Sequence, residues 1–153
     1  MQEATITYPV RDGSVLLIEK KRGIGAGLYN GPGGKVEPGE SPVEAARREV
    51  REEIRATVPR LSKRGELEFV FGDDHYMTVH VYRAPEVDGV PEETPEAIPR
   101  WVDIDAIPYD QMWEDDRYWL PLLLADRTFQ GWFRFDAAAE VLQGRYVDPD
   151  VEL

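Results

Sequence analysis

The sequence predicts an α/β fold in which a mixed sheet is held between helices. Several segments of the 153-residue chain alternate apolar and polar residues, which is the pattern of strands. Two other segments repeat apolar residues at helical spacing, one in the first half of the chain and one near residue 120. Strands interspersed with helices are typical of a sheet covered by helices. The length suits one domain, residues 1–153.

The N-terminal third is predicted to contain a hairpin and a short third strand. Residues 5–10 and 14–19 form the hairpin around an Arg-Asp-Gly turn at 11–13. Residues 20–27, KKRGIGAG, form a basic, glycine-rich loop. This loop is either a flexible connection or a segment that lies beside phosphates or a base. Residues 28–30 form the short strand.

A helix is predicted to begin at Pro42. Ser41 can cap its N-terminus, and Glu44 completes a capping box with Ser41. Its core-facing stripe consists of Val43, Ala46, Val50 and Ile54.

Three glutamates share one face of this helix, beside the apolar stripe. Glu49, Glu52 and Glu53 are spaced i, i+3 and i+4, and we expect Glu53 to be exposed. Carboxylates grouped in this way repel one another, and hard divalent ions such as Mg²⁺ prefer oxygen ligands. A solvated acidic face is the alternative. The glycine-rich segment 31–39 before the helix favours a binding site, because it lets the backbone approach a ligand closely.

The rest of the chain is predicted to add strands and one more helix. Residues 61–71 and 76–83 pair around a turn at 72–74, residues 84–99 form a proline-rich surface loop, and 101–103 form a short strand. The second helix spans about 118–125, with Pro121 near its first turn and a cap from Asp115 or Asp116. Two strands close the chain as a hairpin, 128–135 and 140–147.

Composition limits the partners and the compartment. The net charge of −12 disfavours a nucleic-acid polymer as partner, because such a surface repels phosphates. The chain has no cysteine, no apolar run long enough to cross a membrane and no signal-peptide pattern at its start. We therefore expect a cytoplasmic protein with no membrane partner, and a monomer. Only four of the 18 basic residues are lysine, and this scarcity beside the acid excess resembles proteins of salt-loving microbes.

The stretch from Gly31 to Ala56 resembles the Nudix box, G-x5-E-x7-R-E-U-x-E-E-x-G-U, in which U is a bulky aliphatic residue. The matching positions are Gly34, Glu40, Arg48, Glu49, Val50, Glu52 and Glu53. Two positions depart from the pattern, since Arg55 replaces a glycine and Ala56 replaces the last aliphatic. The glycine normally helps to end the helix, so the helix terminus is the feature that this departure affects.

The resemblance implies a fold and a metal site. The fold is the Nudix α/β/α sandwich with a mixed central sheet. The metal is Mg²⁺, with Mn²⁺ as a substitute, held by Glu49, Glu52 and Glu53 with the backbone of Gly33. Arg48 would orient a glutamate in this catalytic group, and Glu96 aligns with a family carboxylate that can approach the metal.

One Nudix branch is resembled more closely than the others. The segment Trp113-x-Asp115-Asp116 and the asparagine before the glycine loop, Asn30, are similar to the animal MutT homologues that hydrolyse oxidised purine nucleoside triphosphates. This similarity implies a small nucleotide substrate. Lys20, Thr5 and Ile24 align with pocket-lining positions of that branch, with Ile24 in place of a phenylalanine.

These residue types suit the recognition of a purine. Trp113 offers a stacking surface, and Phe69 and Met77 could line the slot. Asn30 presents both a donor and an acceptor to a base edge. Like charge and burial would raise the pKa of one carboxyl of the pair Asp115 and Asp116, making it a donor. Alternatively, Trp113 is a core residue and the aspartates are a helix cap.

Three functions are compatible with these observations. The first is a Mg²⁺-dependent diphosphatase that converts an oxidised purine nucleoside triphosphate such as 8-oxo-dGTP into the monophosphate and pyrophosphate. The second is a Nudix hydrolase of another nucleoside diphosphate-linked substrate, such as ADP-ribose or a nucleotide sugar. The third is a catalytically silent domain that binds a nucleotide or a protein.

The acidic composition predicts that salt stabilises the fold. Cations screen the mutual repulsion of a surface with net charge −12, so the melting temperature should rise between dilute buffer and molar KCl. Differential scanning calorimetry across a KCl series measures this dependence. A melting temperature that stays constant or falls would remove the interpretation of a halophilic protein.

Overall fold

Strand alternation and hydrogen bonding generate one mixed sheet in the computed structural model, which describes residues 2–73 and 75–153. The strands are β1 (Gln2–Arg11), β2 (Ser14–Lys20), β3 (Tyr29–Asn30), β4 (Gly33–Lys35), β5 (Ser62–Phe71), β6 (His75–Ala84), β7 (Ala97–Asp103), β8 (Phe129–Phe135) and β9 (Leu142–Pro149). The helices are α1 (Pro42–Ile54) and α2 (Asp116–Leu124), with a 3₁₀ turn at Tyr109–Gln111.

The main strand order is β3-β2-β1-β6-β5-β8-β9, with β4 paired to β1 and β7 paired to β2. The pairs β1–β6 and β5–β8 are parallel, while the other pairs are antiparallel. The predicted mixed sheet is therefore confirmed.

The alternation within β2 explains why the two helices lie on opposite faces. Leu16 and Ile18 belong to a buried cluster with Val50 and Ile54 of α1. Val15 and Leu17 alternate with them along the strand. These two belong to the other cluster, which includes Trp119, Leu120 and Leu123 of α2. Because successive strand side chains point to opposite faces, one strand supplies both cores.

The start of α1 follows the local sequence signals. The Ser41 hydroxyl accepts a hydrogen bond from the Glu44 backbone N–H at 3.2 Å, and the Ser41 N–H donates to the Glu44 carboxylate at 3.1 Å. The predicted capping box is confirmed. The buried stripe differs slightly from the prediction, because Val43 is only half-buried whereas Glu53 is buried.

The end of α1 falls where the Nudix box carries its glycine. Arg55 is the C-cap in the left-handed conformation, with φ 55°, and its N–H donates to the Arg51 carbonyl. A left-handed residue with a side chain costs about 1–2 kcal/mol relative to glycine. The departure from the box thus leaves the helix terminus in place and adds backbone strain.

Three predicted elements differ in their bounds from those of the structure. The seven residues of β7 pair with β2, so this strand is longer than the predicted 101–103 and the proline-rich loop is shorter than 84–99. Helix α2 begins at Asp116, two residues before the predicted start, which places Pro121 inside the helix instead of its first turn. In the predicted turn at 72–74, Asp74 lies outside the described residues.

The predicted helix cap by Asp115 is wrong in one respect. Asp115 occupies the cap position, but its side chain makes no capping hydrogen bond. Its carboxylate is buried and accepts a hydrogen bond from the Trp119 indole N–H instead.

In the part of the chain that the structure describes, neither helix is long and apolar enough to cross a membrane.

Relief of strain at Arg55 is expected to stabilise the protein. In Arg55→Gly, the lost left-handed penalty exceeds the extra entropy of an unfolded glycine, so the free energy of unfolding should rise by about 0.5–1 kcal/mol. Urea denaturation measures it. The matched control is Arg51→Gly, one turn earlier in α1, which should lower the free energy of unfolding by about 1 kcal/mol. Equal destabilisation by both substitutions would contradict strain at Arg55.

Candidate active site

A cleft of about 540 Å³ lies beside the C-terminal half of α1. The glycine-rich segment forms one wall, α1 forms another, and residues 94–96 complete it. The lining residues are Lys20, Arg22, Gly33, Gly34, Glu49, Glu52, Glu53, Arg55, Thr94, Pro95 and Glu96. The cleft brings together Lys20, Gly33, the three helix glutamates and Glu96, all predicted from sequence as site residues.

Glu53 is buried at the base of the cleft, and the expectation that it would be exposed is wrong. Its residue exposure is 6%, and its carboxylate accepts a hydrogen bond from the Gly33 N–H at 2.7 Å. Burial raises its pKa to about 7, and nearby Glu49 also raises it, whereas the Gly33 hydrogen bond opposes the shift. The glycine loop covers this side of the helix, which helical spacing alone does not reveal.

Close approach of the loop explains the glycine at position 34. A Cβ atom at Gly34 would lie 2.5–2.7 Å from the carboxyl atoms of Glu49, so that carboxylate would have to move from its present position. Burial raises the pKa of Glu49, while hydrogen bonding to Arg48 lowers it. The loop backbone and this carboxylate therefore face each other without a side chain between them.

Arg48 ties the helix to the glycine-rich segment. Its Nε and Nη2 donate to the two Glu40 carboxylate oxygens at 2.8 and 3.0 Å, and Nη2 also donates to the Lys35 carbonyl at 3.0 Å. Its Nη1 donates to Glu49 at 2.7 Å and to Glu52 at 3.2 Å. The hydrogen bonds from Arg48 lower the pKa of Glu40 to about 2. One guanidinium thus sets the position of three carboxylates.

The donor set of the cleft suits a hard divalent cation in its chemistry. The Glu49 charge disfavours ionisation of Glu53, and a bound cation would relieve that repulsion. Among the described residues, no three His, Cys, Asp or Glu side chains converge in an arrangement that could hold a metal ion. In this conformation Arg48 engages both Glu49 and Glu52.

Ion pairs link the basic loop to residues 93 and 96 beside the cleft. Arg22 donates from Nε to the Glu96 carboxylate at 3.0 Å, and this contact lowers the pKa of Glu96. Lys21 pairs with Glu93 in the same region. The Lys20 ammonium donates to the Ile24 carbonyl at 2.9 Å. The two ion pairs join the loop at 20–27 to the segment that precedes β7, whereas the Lys20 hydrogen bond lies within the loop.

A second polar group is buried at the start of α2. Asp115 and Asp116 are each 3% exposed, and the Trp119 indole N–H donates to Asp115 at 2.8 Å. Burial raises the pKa of Asp115 to about 6, and burial together with the Asp115 charge raises that of Asp116. One oxygen of Asp116 is buried with no hydrogen-bond partner in the described structure. The pair therefore contains a buried carboxylate oxygen without a hydrogen bond, and a role as helix cap does not explain this oxygen.

Asn30 joins this second group through a residue that the sequence reasoning missed, Tyr8. The Tyr8 hydroxyl donates to Asn30 Oδ1 at 3.3 Å, and its ring packs edge-on against Trp119 with centroids 5.9 Å apart. Asp116 and Asp115 both raise the pKa of Tyr8, although burial has the largest effect. The available signal was the alternation of β1, which places Tyr8 on the same strand face as Ile6.

Aromatic side chains adjoin the buried polar group. Phe69 stacks near Phe135 with centroids 6.5 Å apart, and Trp113 meets the same Phe135 ring edge-on at 6.0 Å. Met77 packs against the same core cluster, in register with Phe69. A Cβ atom at Gly25 would lie 3.1 Å from the Trp113 indole nitrogen, so the basic loop reaches this ring. The structure thus brings together the predicted Asn30, Asp115, Asp116, Trp113, Phe69 and Met77.

Two predicted residues lie apart from this group. Thr5 is buried on β1, but alternation directs its side chain to the face opposite Ile6 and Tyr8. Ile24 is 80% exposed at the tip of the basic loop.

The profile of the NUDIX domain matches residues 1–123, which is most of the chain and includes both polar groups. The chain belongs to the NUDIX family. It is 49% identical over 132 residues to the oxidized purine nucleoside triphosphate hydrolase of Danio rerio, covering 86% of this chain and 85% of that protein. It is 42% identical over 139 residues to the protein of the same name from Mus musculus, covering 90% and 89%.

Solved structures agree with this assignment. The crystal structure of a MutT protein from Bacillus halodurans superposes with a TM-score of 0.87 and 28% identity, covering 97% of this chain and 98% of that one. The Nudix fold predicted from the sequence is confirmed. The final hairpin of β8 and β9, beyond the NUDIX match, continues the same sheet by pairing with β5.

The buried aspartate pair is expected to make stability depend on pH. Both carboxyl groups have raised pKa values in the folded protein, so the folded state holds more protons than the unfolded state above pH 4. Stability should fall as pH rises through the folded pKa values. In Asp116→Asn one titrating group is gone, so the fall between about pH 4.5 and 8 should shrink by more than about 1 kcal/mol.

Urea unfolding at several pH values measures this difference. Asp110→Asn is the control, since the Asp110 side chain is 98% exposed and the substitution should leave the dependence on pH unchanged. Parallel curves for Asp116→Asn and the parent would show that the carboxyl group of Asp116 does not titrate differently in the folded state.

Proposed function

We propose that this protein is a metal-dependent hydrolase of oxidised purine nucleoside triphosphates, which releases the monophosphate and pyrophosphate. The observation that carries the proposal is the buried Asp115–Asp116 pair beside Asn30, in a chain that is 49% and 42% identical to two proteins named for this activity. The same enzyme would remove damaged nucleotides from the pool that supplies DNA synthesis, acting as a cytoplasmic, salt-adapted monomer formed by the single domain 1–153.

The purine would be held by the second polar group and the aromatic side chains. Trp113 and Phe69 would support the flat ring, because aromatic faces stack on bases. Asp115 and Asp116 have pKa values raised by burial, so one is protonated and donates while its partner accepts. Asn30 would contact another part of the base edge. A donor and an acceptor side by side distinguish an oxidised purine from its parent by hydrogen bonding.

The phosphates would occupy the cleft beside α1. Glu49, Glu52 and Glu53, with the backbone of Gly33 and with Glu96, would hold Mg²⁺ or Mn²⁺. This ion supplies charge neutralisation for the phosphates and lowers the pKa of an attacking water. Arg48 keeps the Glu49 carboxylate oriented through a charge-assisted hydrogen bond. Lys20 also lines the cleft, and its positive charge acts on Glu53 and Glu96.

Substrate choice and metal dependence can be tested in one assay. Pyrophosphate release with Mg²⁺ should give a higher kcat/KM for 8-oxo-dGTP than for dGTP, ADP-ribose or a nucleotide sugar. Glu53→Gln should lower kcat by more than about tenfold, because it removes a charged ligand while leaving an oxygen that accepts from Gly33. The melting temperature of the variant should show a retained fold.

Glu86→Gln is the matched control, since Glu86 forms an exposed ion pair with Arg60 outside the cleft. Its rates should equal those of the parent. Preference for ADP-ribose or a nucleotide sugar would replace the proposed substrate with another nucleoside diphosphate derivative. An absence of turnover with every nucleotide would indicate a silent binding domain, and equal rates for Glu53→Gln and the parent would remove the metal assignment.

A further inference from the structure

Tyr8 contacts Asn30, which is proposed to bind the base, but Tyr8 itself takes no part in the proposed binding of substrate or metal. It is fully buried in β1, and its hydroxyl reaches the Asn30 side chain. We propose that Tyr8 is a positioning residue, which locks the Asn30 amide so that only its NH₂ group is offered to the substrate. This inference rests on the proposed function, because it concerns how the same site reads a purine.

The Gly31 N–H identifies which atom of the Asn30 amide is the oxygen. This backbone group can only donate, and it lies 3.0 Å from Asn30 Oδ1. An NH₂ group at that position would place two donors against each other. The oxygen must therefore face Gly31, and the nitrogen must point the other way.

The Tyr8 hydroxyl occupies the second acceptor position of the same oxygen. A carbonyl oxygen only accepts, so the hydroxyl at 3.3 Å must donate. With Gly31 and Tyr8 both donating, the two lone pairs of Oδ1 are used. No described residue accepts a hydrogen bond from the Asn30 NH₂ group, which is thus the part of the side chain left for a ligand.

Packing prevents the Tyr8 ring from moving away. The ring lies edge-on to Trp119, and a Cβ atom at Gly31 would come within 2.9 Å of its Cε1 atom. The adjacent Thr7 N–H donates to the Pro32 carbonyl at 2.8 Å, which fixes β1 against the loop that carries Asn30. Burial and the two aspartates raise the Tyr8 pKa, so the hydroxyl keeps its proton and remains a donor.

The consequence concerns which base edges fit. Asn30 is a donor only, so this part of the site accepts a base atom with a lone pair and disfavours an N–H group. The class of ligand is a purine nucleotide whose edge presents a carbonyl oxygen or an unprotonated ring nitrogen to Asn30. If the amide could rotate freely, both kinds of edge would be accepted and the site would discriminate less.

Tyr8→Phe tests the lock, because the ring and its packing are retained while the donor is lost. The expected result is a fall in kcat/KM for 8-oxo-dGTP of about three- to tenfold, mainly through KM, with a smaller preference over other purine triphosphates. Tyr82→Phe is the control, since Tyr82 is a buried tyrosine on the adjacent strand β6 and contributes to neither polar group. Equal effects of the two substitutions would overturn the proposal.

A double-mutant comparison separates positioning from general loss of packing. If Tyr8 acts through Asn30, then Tyr8→Phe should not change kcat/KM further in an Asn30→Ala background. An undiminished further loss would overturn the proposal. Asn30→Asp provides a second variant should Tyr8→Phe fold poorly. It puts an acceptor where the NH₂ group stands, and the preference should shift towards purines that present an N–H there. An unchanged preference would contradict a locked amide.

Nuclear magnetic resonance reports the lock without any turnover. The side-chain ¹⁵N relaxation of the Asn30 amide should show greater mobility in Tyr8→Phe than in the parent or in Tyr82→Phe, because one of the two hydrogen bonds that hold Oδ1 is lost. Unchanged mobility would overturn the proposal. If the parent shows no preference for an oxidised purine, the proposed function fails, and the relaxation measurement still decides whether Tyr8 holds Asn30.

Discussion

The guanidinium of Arg48 is the interaction on which the arrangement of the cleft depends. Its fork holds Glu40 and the Lys35 carbonyl on one side and reaches Glu49 and Glu52 on the other. Together with the hydrogen bond from the Gly33 N–H to Glu53, these contacts fix the separation of the helix and the glycine-rich segment. A planar group with five donors in fixed directions meets several acceptors at once, which a lysine could not do.

Both polar groups depend on carboxylates held where water is scarce. In the cleft, Glu53 is buried against the Gly33 N–H, and near α2 the pair Asp115 and Asp116 is buried against Trp119. Burial of a carboxylate destabilises its charged form unless a donor compensates. A ligand that supplies the missing charge or hydrogen bond would relieve the unfavourable free energy at these positions, which favours its binding. Sites that bind strongly are commonly built from groups that the fold alone leaves unsatisfied.

The sequence predicted features that depend on neighbours along the chain. The capping box of α1 was predicted correctly, because Ser41 and Glu44 lie three residues apart. The burial of Glu53 was missed, since it depends on a loop twenty residues away in sequence. The alternative role of Asp115 as a helix cap was wrong, because its carboxylate accepts from the Trp119 indole N–H and makes no capping hydrogen bond. For Tyr8 the alternation of β1 indicated only the strand face, because its contact is with Asn30 on a different strand.

The two parallel pairings of the sheet have a consequence for the order of folding. β1 pairs with β6, and β5 pairs with β8, so each contact closes a loop of more than sixty residues. Closing long loops costs entropy before the contacts repay it, which makes such pairings slow. The glycine-rich segment and α1 are contiguous in sequence and can associate early. The aromatic and aspartate group draws on β1, β5, β8 and α2, and we therefore expect it to be assembled late, during closure of the sheet.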